Sequence, residues 1–148
     1  MIDPTCRFSM RRLPIHFGRQ RFMAASEDQI AEIECRFGVR LPDDYRRFPL
    51  TRGSTSEFLP PANSYVQIGP MDDVVPVNKA GDIQTRFPGA LVIGSDGSRE
   101  MFAYDFRQGQ SPLVLLDLTA QDWSDAVYQA SSLTALLAQL PERGWLFD

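Results

Sequence analysis

Residues 26–48 read SEDQIAEIECRFGVRLPDDYRRF and predict two consecutive helices. Ser26 can accept hydrogen bonds from the first helical turn, and Gln29, three positions later, completes a capping box. Gly38 suits the left-handed conformation that ends many helices. Three apolar residues lie between these signals at helical spacing and share one face: Ile30, Ile33 and Phe37. The first helix is therefore predicted over residues 26–37.

The second helix is predicted to open at Pro42. Proline suits the first helical position, and the two aspartates after it favour the positive end of the helix dipole. Tyr45 and Phe48 lie three positions apart and share one side. Pro49 predicts an early end, because proline lacks the amide hydrogen and clashes with the preceding turn. The polar stretch over residues 51–63, which contains glycine and proline, is predicted as a loop.

Strands and tight turns dominate the rest of the chain. Residues 95–98 (Ser-Asp-Gly-Ser) predict a hairpin turn, because Asp and Gly readily adopt positive φ angles. Residues 70–75 predict one helical turn, and residues 78–87 leave a short helix open. Ser132 can cap a final helix that Pro141 is predicted to stop. Short apolar or alternating runs predict four strands: residues 65–68, 91–93, 101–106 and 113–118.

The order of these elements predicts a single α+β domain. Hairpin connections imply antiparallel pairing, and helices placed toward the two ends of the chain imply packing on one face of the sheet. The length of 148 residues is typical of one domain. We expect a largely antiparallel sheet packed against helices over residues 26–148, preceded by an arginine-rich leader or arm over residues 1–25.

Charge is distributed unevenly along a chain whose net charge is −4. Residues 1–24 contain five arginines and one aspartate, whereas the remainder contains ten basic and eighteen acidic residues. An acidic body repels nucleic acid and attracts basic partners, although negative charge also serves solubility alone. The leader could pack on the body, form a flexible arm, bind RNA or membrane, or precede a true start at Met10 or Met23. The sequence leaves these alternatives open.

The two cysteines, Cys6 and Cys35, lack the spacing of a metal site. Cys35 falls within the first helical pattern, where a buried free thiol is the common state. The N-terminus shows no continuous apolar segment of a secretion signal. No run approaches the roughly 18 apolar residues that can span a bilayer. We therefore expect a cytoplasmic protein with reduced cysteines and no membrane partner.

The sequence offers few of the side chains that catalysis or cofactor binding requires. A Ser or Cys nucleophile normally needs a base, most often His, and the one histidine, His16, lies in the leader. Zinc-ligand spacing, a phosphate-binding loop and a dinucleotide fingerprint are all missing. The pairs Asp43-Asp44 and Asp72-Asp73 suit the first turns of helices. We expect no enzyme activity, cofactor or metal, and the enzyme alternative is a hydrolase that uses Asp72 or Asp73.

Several segments, taken in order, resemble the SUKH superfamily, which includes bacterial immunity proteins and the fungal cell-wall-synthesis regulator Smi. The resemblance covers roughly residues 26–140, and Pro49 and Ser54-Thr55 depart from its pattern. The segments that carry it are a helix, a glycine and Leu-Pro-x-x-Tyr within residues 30–48, a Gly-x-Asp-Gly turn within Ile93–Gly97, a strand at Phe102–Asp105 and a closing helix at Ser132–Leu140.

The resemblance implies an α+β fold and a non-enzymatic role. Bacterial members are mainly immunity proteins that bind and neutralise a toxin, often a nuclease, from a polymorphic or contact-dependent toxin system. The implied partner is a basic toxin domain, which an acidic surface would attract. The fungal members imply the alternative role of a regulatory scaffold module in cell-wall synthesis or signalling. The sequence does not predict the oligomeric state.

Two groups of residues receive predicted roles. The motif residues are assigned to the fold: Leu41, Pro42, Tyr45, Phe48, Gly94, Asp96, Gly97, Tyr104 and Asp105. Partner-binding residues are expected to be exposed and to lie in irregular segments. Four acidic residues are predicted on that basis: Glu57, Asp72, Asp73 and Asp82.

Overall fold

The computed structural model describes residues 27–51, 54–80 and 82–147. Within these ranges the chain forms five α-helices, six β-strands and one short 3-10 helix. In chain order the elements are α1 (Glu27–Phe37), α2 (Asp43–Thr51), β1 (Thr55–Leu59), β2 (Ser64–Ile68), α3 (Met71–Lys79), α4 (Ile83–Arg86), β3 (Ala90–Ser95), β4 (Glu100–Asp105), β5 (Leu113–Asp117), the 3-10 helix (Trp123–Asp125), β6 (Val127–Ala130) and α5 (Leu133–Arg143).

The six strands form one antiparallel sheet in which each strand pairs with the next along the chain. The weakest junction joins β2 to β3, which pair only through Gln67–Ser95 and Ile68–Gly94. The register of β3 against β4 shifts between Val92 and Gly94. The sheet therefore opens on one side of the β2–β3 junction, and α3 contacts β3 there. The predicted α+β fold with an antiparallel sheet is confirmed.

One face of the sheet, here called the inner face, packs against α1, α2, α5 and the first half of α3. The aromatic rings of Tyr45 and Tyr104 meet edge to face across this core, with centroids 5.7 Å apart. Burial of this apolar surface is the main favourable term in the stability of the fold. The inner face is defined by the buried strand residues Val66, Ile68, Leu91, Phe102, Tyr104 and Leu115.

The opposite, outer face carries a smaller core that only short elements cover. Ile83 of α4 and Phe87 just after it pack on this face, and the Phe87 ring meets Trp123 with centroids 5.8 Å apart. Helices thus lie on both faces, and the expectation that they pack on one face is wrong. The outer face is defined by Val92, Met101, Ala103, Val114 and Leu116.

The helix predictions are confirmed in position and corrected in length. Helix α1 ends where predicted, and Gly38 has a φ of 65°. Helices α2 and α5 continue through Pro49 and Pro141, so both predicted stops are wrong. A proline's fixed φ fits a helix, and in the last turn the ring removes one hydrogen bond without ending the element. Ser132 caps α5 as predicted, since its hydroxyl accepts the Ala135 amide at 3.0 Å.

Two strands and most of one helix escaped prediction. Strand β1 lies in the stretch predicted as a loop. Its sequence, Thr-Ser-Glu-Phe-Leu, does not alternate apolar and polar residues, which is the signal that predicts a strand. Strand β6 has only four residues, too few for a clear period. Helix α3 runs for nine residues, although only one turn was predicted. The prediction was too short because Pro76 interrupts the apolar pattern of the helix.

Cys35 is disulfide-bonded, so the prediction of a free, reduced thiol is wrong. A helical pattern fixes where Cys35 sits on α1 but carries no information about which segment passes beside it. The other cysteine of the chain, Cys6, lies outside the described residues, as do Ser26, His16 and the leader. Within the described ranges, no helix has the length and apolar character needed to cross a membrane.

Candidate functional site

An open groove of about 240 Å³ lies where β2 and β3 diverge beside α3. It opens on the outer face of the sheet, since Met101 and Val92 form part of its wall. Its polar lining consists of Gln67, Asp73 and Ser95. Its apolar lining consists of Pro70, Val74, Val77, Val92, Ile93 and Met101.

Gly94 lets the two strands approach each other at the floor of the groove. A Cβ atom on Gly94 would overlap the carbonyl oxygen of Gln67 and the ring of Phe102. Its backbone does not have the positive φ found at Gly97, so the requirement for glycine is steric. The first glycine of the Gly-x-Asp-Gly turn, Gly94, is therefore required by the close approach of β2 to β3.

Asn78 holds α3 against the open side of β3. Its side-chain nitrogen donates to the carbonyl oxygens of Val74 and Val92 at 2.8 and 2.9 Å. The Val92 amide in turn donates to the Asn78 side-chain oxygen at 2.7 Å. The buried amide thereby pairs with both backbone groups of Val92, which a neighbouring strand would otherwise satisfy. This arrangement fixes the wall of the groove.

Asp73 is the one ionisable side chain among the residues that line the groove. In the part of the chain that the structure describes, no ion pair involves its carboxylate. Asp72, one position earlier, faces α1 instead and accepts a hydrogen bond from Gln29. Both aspartates lie in the first turn of α3, where negative charge favours the helix dipole.

The other two predicted interface residues lie elsewhere. Glu57 lies on edge strand β1, opposite Val66, which belongs to the inner face. Asp82 precedes α4 with a φ of 61° and forms an ion pair with Arg86 at 3.0 Å. All four acidic residues are exposed, and they lie on β1, in the first turn of α3 and directly before α4. Glu57, Asp72 and Asp73 also lie in regular elements rather than in the irregular segments expected for them.

Two exposed aromatic residues on the outer face were missed by the sequence analysis. Phe58 of β1 is 59% exposed, and Tyr128 of β6 is 56% exposed. The strand register places Phe58 opposite Tyr65 and Tyr128 opposite Val114. The rings of Phe58 and Tyr65 meet with centroids 4.9 Å apart. A phenylalanine within the polar run of β1 was the available signal, but it could not show which face it occupies.

The Leu-Pro-x-x-Tyr motif begins between α1 and α2, ends at Tyr45 in the first turns of α2 and is tied back to α1. The side chain of Glu34 accepts the Leu41 amide at 2.7 Å and pairs with Arg46 at 2.6 Å. Leu41 and Tyr45 are fully buried, and burial raises the pKa of the Tyr45 hydroxyl. Pro42 is half-buried directly before α2. These positions suit the roles in the fold predicted for the motif.

Three further motif residues, Asp96, Gly97 and Asp105, lie in β4 or in the turn that precedes it. The Asp96 side chain accepts hydrogen bonds from the backbone amides of Ser98 and Glu100 at 2.9 and 3.2 Å. Gly97, directly after Asp96, has a φ of 84°. Burial raises the pKa of the Asp105 carboxyl, but hydrogen bonds from Arg107 outweigh it, and the pKa lies below its usual value.

Two further buried residues complete this group. Phe48 packs in the inner core. Tyr104 packs in the same core with a hydroxyl that has no hydrogen-bond partner in the described structure. Burial is the main cause that raises the pKa of the Tyr104 hydroxyl, and the nearby Asp44 carboxylate raises it further.

The carboxyl groups of Glu100, where β4 begins, and Asp117, where β5 ends, interact with each other. Partial burial raises the pKa of Glu100, and a hydrogen bond with Asp117 raises it further. Hydrogen bonds from Thr119 lower the pKa of Asp117. The described residues contain no group of three or more His, Cys, Asp or Glu side chains arranged to hold a metal ion.

The family model of SMI1/KNR4 (SUKH-1) matches residues 24–139. The chain belongs to this family. The match spans every strand, α1 to α4 and most of α5, so the groove and both exposed aromatic residues lie within the SUKH-1 region. The resemblance read from the sequence is confirmed. No individually curated protein matches the chain.

Proposed function

We propose that this SUKH-1 protein is a non-enzymatic immunity protein that binds and neutralises a basic toxin domain, such as a nuclease, of a bacterial polymorphic or contact-dependent toxin system. The observation that carries the proposal is the partly uncovered outer face. It combines an apolar groove with an exposed aromatic residue, Phe58, on the neighbouring edge strand. Exposed apolar surface beside polar groups is typical of protein-binding sites.

The charge of the chain supports a basic partner. Beyond the leader, acidic residues outnumber basic residues by eighteen to ten. A surface of one sign speeds association with a partner of the opposite sign, and salt screens the effect. Toxins that act on nucleic acid must approach phosphates, which favours a basic surface. Attraction of this kind gives speed and specificity, while apolar contacts supply most of the affinity.

The alternative is a regulatory scaffold module in cell-wall synthesis or signalling. One observation favours it. Phe58 and Tyr128 lie on the two outermost strands, β1 and β6, at opposite edges of the sheet. Two separate aromatic contacts would allow one domain to hold two partners at once. A toxin-binding protein needs one continuous interface.

Co-expression with the neighbouring open reading frame tests the proposal. We expect rescue of growth from the toxicity of that gene product and a complex that purifies intact. Phe58→Ala should weaken the complex at least about tenfold if Phe58 is an interface anchor. Phe147→Ala is the matched control, because Phe147 is equally exposed, at 60%. Binding without rescue would favour the scaffold role, and an affinity that salt leaves unchanged would contradict the electrostatic part.

The cytoplasm is the proposed site of action, and the disulfide at Cys35 is the observation that speaks against it. Disulfides are rare in the cytosol of mesophilic organisms. Alkylation of the protein in intact cells, followed by mass analysis, measures how much of the Cys35 thiol is free. A fully oxidised cysteine in active, protected cells would contradict a cytoplasmic location.

A further inference from the structure

We propose that the groove beside α3 receives one arginine side chain of the protein partner, with its guanidinium on Asp73. The inference rests on the proposed function, because it takes the partner to be a basic protein. It goes further by naming the side chain that anchors the complex and the atoms that receive it. Four properties of the groove support it: size, apolar lining, charge and the number of hydrogen-bond acceptors.

The size of the groove fits a side chain better than a free small molecule. Its volume is about 240 Å³, below the roughly 300–1,000 Å³ typical of small-molecule pockets. Protein interfaces are dominated by a few residues that fill pockets of this kind, chiefly Trp, Tyr and Arg. The groove is therefore expected to take one anchoring residue of a larger partner.

The apolar lining fits the aliphatic part of a long side chain. Val74, Val92 and Met101 are buried around the groove, whereas Val77 at its rim is 42% exposed. An arginine can place its methylene groups along such a surface while its charged head reaches a polar group. Occupation of the groove would cover the exposed part of Val77.

The negative charge of the groove favours Arg over Trp and Tyr, the other two common interface anchors. Asp73 is the one ionisable lining residue, and none of the described ion pairs involves it. A Trp or Tyr ring would cover the carboxylate without neutralising it, which is costly. A guanidinium would pair with the carboxylate through charge-assisted hydrogen bonds. Charge complementarity thus selects a cationic anchor.

The neutral polar lining favours arginine over lysine. Gln67 and Ser95 face each other across the β2–β3 junction, with the Ser95 hydroxyl 3.5 Å from the Gln67 side-chain oxygen. The Ser95 hydroxyl already accepts the Gly97 amide at 3.1 Å, and both side-chain oxygens have a further lone pair that can accept a hydrogen bond. A guanidinium has five N–H donors in a planar fork and can serve several acceptors at once, whereas an ammonium group acts as a compact point charge.

NMR titration of the whole chain with N-acetyl-arginine amide tests the site without the partner. We expect shifts of the Val77, Ser95 and Met101 amides, with N-acetyl-citrulline amide, which is nearly isosteric and neutral, binding at least about tenfold more weakly. Asp73→Asn should abolish that preference. Asp72→Asn is the matched control, because it removes the same charge from the same helical turn while Asp72 faces α1. Equal effects of the two variants, equal binding of the two amides, or no shifts at all would each overturn the inference.

The complex with the toxin separates this inference from the proposed function. If the toxin binds and Asp73→Asn weakens it no more than Asp72→Asn, the groove is not the anchor, although the immunity role stands. If no toxin binds but arginine amide occupies the groove with the predicted dependence on Asp73, the immunity role fails and the arginine site stands. Dimerisation of the free chain that Val77→Arg abolishes would show that a second copy occupies the groove, and would overturn the inference.

Discussion

The inner and outer faces of the sheet are built from alternate residues of the same strands, yet they are covered very differently. On the inner face, α1, α2, α5 and part of α3 enclose a core that includes Phe102. On the outer face, α4, the 3-10 helix and the segments around them cover one part, and the groove beside α3 stays open. Since alternation along a strand determines both faces at once, the difference comes from the length of the covering helices.

The inner face holds its apolar area inside the fold, whereas part of the apolar area of the outer face stays open to solvent. A fully enclosed face can contribute its whole apolar area to folding. A face with an open groove contributes less, but it keeps contact area available for a partner. Substitutions on the two faces should therefore separate folding from binding.

The largest expected effect comes from Phe102→Ala on the inner face, compared with Met101→Ala next to it on the outer face. Phe102 is 0% exposed and packs against Trp145, with ring centroids 5.3 Å apart. We expect Phe102→Ala to lower the free energy of unfolding by about 3–5 kcal/mol, because it leaves an enclosed cavity. Met101→Ala should cost about 2 kcal/mol, the low end of the range for such truncations, because its side chain borders a groove that is already open to solvent.

Urea unfolding followed by tryptophan fluorescence and circular dichroism measures both values. Equal losses for the two variants would show that the outer face is enclosed as fully as the inner one.

The second prediction concerns the junction at the edge of the groove. Gly94→Ala should cost about 2–3 kcal/mol, because the added methyl group meets both a backbone oxygen and the Phe102 ring. Gly109→Ala is the control. Gly109 has a φ of 80° and open space around it, so only backbone strain of about 1 kcal/mol is expected. A smaller loss at Gly94 than at Gly109 in thermal unfolding would show that β2 can move away from β3.

The smallest effect is expected at Glu100, where β4 begins. The pKa of Glu100 is raised in the folded chain, so ionisation of this carboxyl opposes folding as the pH rises through that pKa. Glu100→Gln should therefore stabilise the protein at pH 7 by about 0.5 kcal/mol or less, in line with exposed charge pairs. The gain should vanish below the unfolded pKa of about 4.3.

Asp117 provides a test of opposite sign. Its folded pKa is lowered, so the stability it contributes is present above the unfolded pKa and is lost as the pH falls through the folded value. Asp117→Asn should therefore destabilise at neutral pH. Denaturation midpoints measured across the acidic range check both variants, and a shift of the same sign for both would contradict this account.

The parts of the fold that follow from local chemistry were predictable from sequence. Gly38 and Gly97 adopt the positive φ angles expected of them, and Ser132 caps α5 as expected. The order of segments predicted the family and the antiparallel sheet. Each of these features depends on a few neighbouring residues.

The parts that depend on distant contacts were not predictable. Strand β1 lacks the alternating pattern that predicts a strand, and β2 supplies its hydrogen bonds. Among the four predicted interface residues, only Asp73 lines the groove. The two adjacent aspartates of α3 look alike in the sequence, and only the position of α1, which engages Asp72, distinguishes them.

The bonds between Asn78 and Val92 bear on how a partner would be received. Because a buried amide locks α3 to β3 through both backbone groups of Val92, the groove cannot widen without breaking them. The site is therefore pre-organised, and little ordering entropy remains to be lost when a ligand enters. Selectivity then follows from shape, since a side chain too wide for the groove would have to break those bonds before it could bind.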